Sequence, residues 1–122
     1  MKYHMVSGAC GFVGRNVVKA LLKRTNDRII MVDDLSVGTH PATWLDNFTS
    51  KKVKDLEIIG EDERLLFWQT DIRLFLKRFN ENPEFLKQEY GIDCYKISDA
   101  FHFAAIVGGR AKLMEIGRAS CR

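Results

Sequence analysis

Three glycines stand three residues apart in Gly8-Ala9-Cys10-Gly11-Phe12-Val13-Gly14, between a short apolar run (Lys2 to Ser7) and a stretch of helical period. Gly8 permits a sharp turn off a strand, Gly11 lets main chain approach a bound group closely, and Gly14 lets a helix pack tightly on a sheet. The N–H groups of Phe12 and Val13 then open at the positive end of that helix, where they can meet a diphosphate. Asp33 follows Gly14 by 19 residues, at the end of the next apolar run, where a carboxylate can accept both hydroxyls of a ribose. A carboxylate there repels a 2′-phosphate and so favours NAD over NADP. Arg15, just past the third glycine, is the one feature on the NADP side, and an exposed helical arginine is the better account of it. Glycine triplets serve many loops, and Asp-Asp pairs often cap or turn. The order strand, glycine turn, helix, strand, acid is what points to a dinucleotide.

The elements needed to hold these residues can be read along the chain. Lys2 to Ser7 is a buried strand. In the helix after it, Phe12, Val13, Val17, Val18, Leu21 and Leu22 share one face, and Arg15, Asn16, Lys19, Lys23 and Arg24 share the other. Thr25-Asn26-Asp27 ends that helix, and Arg28 to Val32 is a second strand closed by Asp33-Asp34. Pro41 to Phe48 has the makings of a short helix with proline in its first turn, whereas polar Lys51 to Asp62 supports no assignment. Leu65 to Gln69 is a third strand. Leu74 to Tyr90 is helical with a break near Asn82-Pro83, and Asp99 to Ala105 is a fourth strand. The fold expected is α/β, a Rossmann-type parallel sheet with helices on both faces, truncated after about four strands.

Composition agrees with one globular domain. Of 122 residues, 46% are hydrophobic and 29% charged, with a net charge of +3. The densest basic group, Lys51, Lys52 and Lys54, is followed at once by Asp55 and Glu57, the pattern of a solvated face rather than a nucleic-acid patch. No apolar run is long enough to cross a bilayer, and Met1-Lys2 leads into a strand instead of a signal peptide. Cys10, Cys94 and Cys121 are odd in number and widely spaced, which suits a reducing cytoplasm better than disulfides or a metal site.

Four motifs occur in order: Gly8 to Gly14 with Phe-Val before the last glycine, Val32-Asp33-Asp34-Leu35-Ser36, Thr70-Asp71-Ile72-Arg73, and His102-Phe103-Ala104-Ala105. From about Lys2 to Ala111 the chain resembles the extended short-chain dehydrogenase/reductase family, specifically its nucleotide-sugar epimerases and dehydratases. The resemblance departs at Asp34, where that family usually has asparagine. It implies that Asp33 and Asp34 hold the ribose, Asp71 and the N–H of Ile72 the adenine edge, and that Phe103, Ala104 and Ala105 floor the pocket. Gly108-Gly109 would then be a loop over the nicotinamide ribose. Asp71 is also a natural helix cap. His102, amid apolar neighbours, is assigned no role, and Cys10 has no paired base to make it a nucleophile.

The family's Tyr-x-x-x-Lys is missing. Tyr3, Tyr90 and Tyr95 are followed four residues later by Ser7, Cys94 and Asp99. No catalytic residue is therefore assigned. The expected protein is the NAD-binding portion, residues 1–114, of a cytoplasmic epimerase or dehydratase that acts on a nucleotide-sugar, with a homodimer as one assembly open to the parent. Alone it is expected to be inactive. Glu115 to Arg122 has no apolar period or family resemblance and is read as translated sequencing adapter. Two other parents stay open: an NAD(P)-dependent alcohol dehydrogenase or reductase of the same superfamily, and a dinucleotide-binding regulator without chemistry.

Overall fold

The computed structural model describes residues 2–103, so Ala104, Ala105, Gly108-Gly109 and the 115–122 tail lie outside the described residues. The glycine turn joins β1 (Tyr3–Ser7) to α1 (Phe12–Arg24), which returns through a short turn to β2 (Arg28–Asp33). β1 and β2 pair in parallel from Tyr3 opposite Arg28 to Ser7 opposite Val32. Both strands are buried almost throughout, which is why they read as unbroken apolar runs and not as alternating ones. The C-terminal end of α1 is held by Arg64, whose guanidinium donates to the carbonyls of Leu22, Thr25 and Asp27 at 3.1, 2.6 and 3.0 Å. Leu22 and Thr25 carry acceptors that a helix terminus leaves without partners, and Asp27 lies in the turn that follows.

The sheet is larger than expected. The unassigned polar stretch forms a hairpin, β3 (Ser50–Val53) with β4 (Leu56–Ile59), ahead of β5 (Leu65–Gln69) and β6 (Ile97–His102). The order is β3-β4-β5-β2-β1-β6, with β5, β2, β1 and β6 parallel and the hairpin antiparallel. The four parallel strands match the expectation; with the hairpin the sheet has six strands among the described residues instead of about four. β3 escaped notice because it is an edge strand exposed at all four positions, where lysines suit solvent and discourage edge-to-edge pairing.

α2 (Ile72–Glu81) and α3 (Phe85–Tyr90) form the second helical layer, separated at Asn82-Pro83 where the break was expected. Phe75, Phe79, Phe85 and Leu86 pack with Met5, Ile30, Val32, Leu66 and Trp68 on one face of the sheet. Val17, Val18, Leu21 and Leu22 of α1 pack with Val6, Ile29, Met31 and Phe67 on the other. Helices thus cover both faces.

Three local expectations change. Phe12 and Val13 leave the buried face of α1 and are 72% and 53% exposed, while Gly14 in the same turn is the residue packed against Gly8 and Ala9. Pro41 to Phe48 makes only a 3-10 turn at Pro41–Thr43; its Trp44, Leu45 and Phe48 pack on the core, and Asn47 has φ 51°. β6 begins two residues before Asp99. No helix among the described residues is long and apolar enough to cross a membrane.

Candidate functional site

The site is built where β1 and β2 end. Gly8 turns the chain with φ 67°, its N–H donating to Val32 O at 2.8 Å, and Gly11 N–H closes the turn on Gly8 O at 3.2 Å. The first helical hydrogen bond is Arg15 N–H to Gly11 O at 2.9 Å, so the N–H groups of Phe12 and Val13 precede any acceptor within α1. Gly11 offers no side-chain cap and the first turn holds no acid, which leaves the positive end of the helix uncompensated from within.

The glycines differ in what they are for. A Cβ on Gly14 would lie 2.0 Å from Gly8 O and 2.8 Å from Ala9 Cα, so only glycine allows α1 to sit this close to the turn. A Cβ on Gly11 would meet nothing nearer than Gly8 O at 3.5 Å, an ordinary contact. The fold's own packing does not require glycine there, which leaves room for something outside the chain as the reason.

Asp33, 9% exposed, turns its carboxylate toward the glycine turn. Oδ2 accepts the Cys10 N–H at 2.9 Å and Oδ1 the Leu35 N–H at 2.8 Å. Each oxygen keeps a further lone-pair direction for a hydroxyl. Asp34 Oδ1 accepts from both the N–H and the hydroxyl of Ser36, at 3.0 and 2.7 Å, and these bonds hold its carboxyl below the usual range. Asp71 caps α2, and its two oxygens grip Arg73, chiefly through the side-chain bonds, which likewise keeps it ionised. The capping role considered for Asp71 is therefore realised.

These groups enclose a cavity of about 360 Å³. It brings together Gly8, Gly11, Asp33, Asp34, Asp71, Ile72 and Phe103 from the expected set. Phe12, Val13 and Gly14 stand beside it and do not line it. Val32, Ser36, Val37, Gly38 and Thr70 also line it and were not anticipated. Gly38 carried a usable signal, a glycine in the loop directly after the acid pair. A Cβ there would come within 2.6 Å of Cys10 C and O, so this loop rests against the glycine turn. Three acids and no base line the cavity among the described residues.

Neighbouring groups offer little chemistry. Burial first, and the Asp33 charge second, push the Cys10 thiol up to about 12, so it is no nucleophile. His102 ends β6 instead of lying mid-strand, with Nδ1 2.6 Å from Ser7 Oγ, so it ties β6 to β1. No group of three metal-ligating side chains occurs among the described residues.

No protein-family profile matches the chain. Solved structures do. UDP-glucose 4-epimerase from Thermotoga maritima, solved with UDP-glucose, is 20% identical with a TM-score of 0.52, over 98% of this chain and 32% of that one. The fold is Rossmann-type. The same Rossmann-type likeness extends to dTDP-glucose 4,6-dehydratase from Bacillus anthracis in complex with NAD, at 18% identity and TM-score 0.52, over 98% of this chain and 32% of that one. UDP-glucuronic acid 4-epimerase from Bacillus cereus, in complex with NAD, is 20% identical with a TM-score of 0.51, over 98% and 35%. These structures are of the enzyme class that the four motifs resemble. The chain spans about a third of their length.

Proposed function

We propose that this chain is the NAD-binding portion of a nucleotide-sugar epimerase or dehydratase that works by transient hydride transfer. The observation that carries this reading is the Asp33 carboxylate fastened to the Cys10 N–H, at the rim of a cavity lined by three acids and no base. The donor set fits NAD. A diphosphate needs main-chain N–H groups without internal acceptors, and the first turn of α1 supplies them at Phe12 and Val13. A ribose diol needs an ionised acceptor, which is the role of Asp33 with Asp34 beside it. The adenine edge falls to the Asp71 carboxylate and the Ile72 N–H, with Phe103 lining the same cavity.

NAD supplies the hydride acceptor when bound. The described residues bind and orient it, and the base that moves the sugar's proton belongs to the remainder of a longer cytoplasmic enzyme, so this chain alone does not turn over. Calorimetric titration of the 122-residue chain with NAD and with NADP tests the reading. NAD is expected to bind roughly tenfold or more tightly than NADP, a difference of about 1.4 kcal/mol or greater. Equal affinities, or NADP preferred, would contradict it.

A further inference from the structure

Arg73 does not line the cavity, yet it governs an acid that does. Its Nε and Nη2 donate to the two oxygens of Asp71 at 3.1 and 2.7 Å, and its main-chain N–H adds a third bond to Oδ1 at 2.7 Å. The torsion that sets the plane of an aspartate carboxylate is broad and easily turned. A forked guanidinium grip removes that freedom and fixes the plane. Charge matters too. Asp34 and Asp71 both line the cavity, the Asp71 charge raises the proton affinity of Asp34, and Arg73 is a cation that interacts with both.

Beside the pinned acceptor, the Ile72 N–H stands at the first position of α2, ahead of any acceptor in that helix, and Ile72 lines the same cavity. An acceptor and a donor side by side match the amino group and adjacent ring nitrogen of adenine. A 6-oxo purine presents the reverse pattern. We propose that Arg73 is the positioning residue through which Asp71 distinguishes an adenine from a 6-oxo purine. This rests on the reading of the cavity as an NAD site.

The test titrates the full chain, Arg73→Ala and Arg73→Lys with NAD and with nicotinamide hypoxanthine dinucleotide, whose base carries an oxygen in place of the amino group. The wild-type chain is expected to favour NAD by roughly tenfold or more, and Arg73→Ala to reduce that ratio to about threefold or less. Arg73→Lys is expected to fall between them, since lysine keeps the charge without the fork. A purely structural role would weaken both ligands alike and leave the ratio intact. If Arg73→Ala keeps the wild-type ratio, or the wild type binds NAD without preferring its base, the inference on Arg73 is overturned and the NAD reading stands. If the wild type does not bind NAD, both fall.

Discussion

The Asp33 carboxylate and the Cys10 main-chain N–H meet at 2.9 Å, so the end of β2 is tied to the middle of the glycine turn. The second carboxylate oxygen takes the Leu35 N–H at 2.8 Å, which also anchors the loop that carries Gly38 back onto that turn. One buried acid therefore organises the turn and the loop, and presents its remaining lone pairs to the cavity between them.

Asp33→Asn separates these duties. The amide keeps one acceptor, but its NH₂ must face one of the two N–H donors, so a bond is lost and a donor is left opposed. A stability loss of about 1–3 kcal/mol is expected in urea unfolding. NAD affinity should fall about 10- to 100-fold by calorimetry, with the preference over NADP shrinking, because the acceptor for the diol is no longer charged.

Gly14→Ala and Gly11→Ala should fail in different ways. At Gly14 the new methyl meets main-chain atoms that no rotamer change can move, so destabilisation of about 3 kcal/mol or more is expected in thermal and urea unfolding. At Gly11 the methyl meets only an ordinary contact, so stability should change by about 1 kcal/mol or less. NAD affinity should nevertheless fall at least about tenfold, because the methyl occupies the approach to the diphosphate.

Cys10 yields a dependence on pH. Its folded pKa is raised from the ordinary 9.0 to about 12, by burial first and by Asp33 second. The fold therefore holds the thiol proton more tightly than the unfolded chain does. The stabilisation linked to this group is fully present below pH 9 and is lost as the pH climbs toward 12. The stability difference between wild type and Cys10→Ala, measured by urea unfolding, should be constant up to about pH 9 and then shrink. A difference that does not vary with pH would refute the assignment.

Arg64 should matter more than an average surface arginine. Arg64→Ala strips three carbonyls, at the end of α1 and in the turn after it, of a charged donor, and about 2 kcal/mol of stability should be lost, with Arg64→Lys recovering only part. NAD affinity should be unchanged once the fraction folded is accounted for, since Arg64 is not among the residues lining the cavity.

What was legible in the sequence was local. The glycine spacing, the acid at the end of the second apolar run and the break at Asn82-Pro83 each express a rule confined to a few neighbouring residues. What was hidden depended on neighbours distant in sequence. β3 is polar because it is an edge strand, and Glu57 can face inward on β4 because His40 Nε2 meets it at 2.8 Å. Phe12 shares the helical period of α1, but period cannot reveal that the first turn packs through Gly14 and leaves Phe12 72% exposed. Gly38, Ser36 and Val37 joined the site only when their loop folded onto Cys10. Asp71 was ambiguous in sequence between cap and ligand contact, and the structure shows the cap, with Arg73 as its unanticipated partner.

The most direct measurement is an ¹⁵N–¹H correlation spectrum of the chain titrated with NAD. The main-chain N–H signals of Gly11, Phe12, Val13 and Leu35 are expected to shift together and saturate with one affinity, while those of the β3–β4 hairpin stay in place. Saturating NAD that leaves the glycine turn unmoved, or that shifts residues elsewhere, would contradict the placing of a dinucleotide between Asp33 and the start of α1.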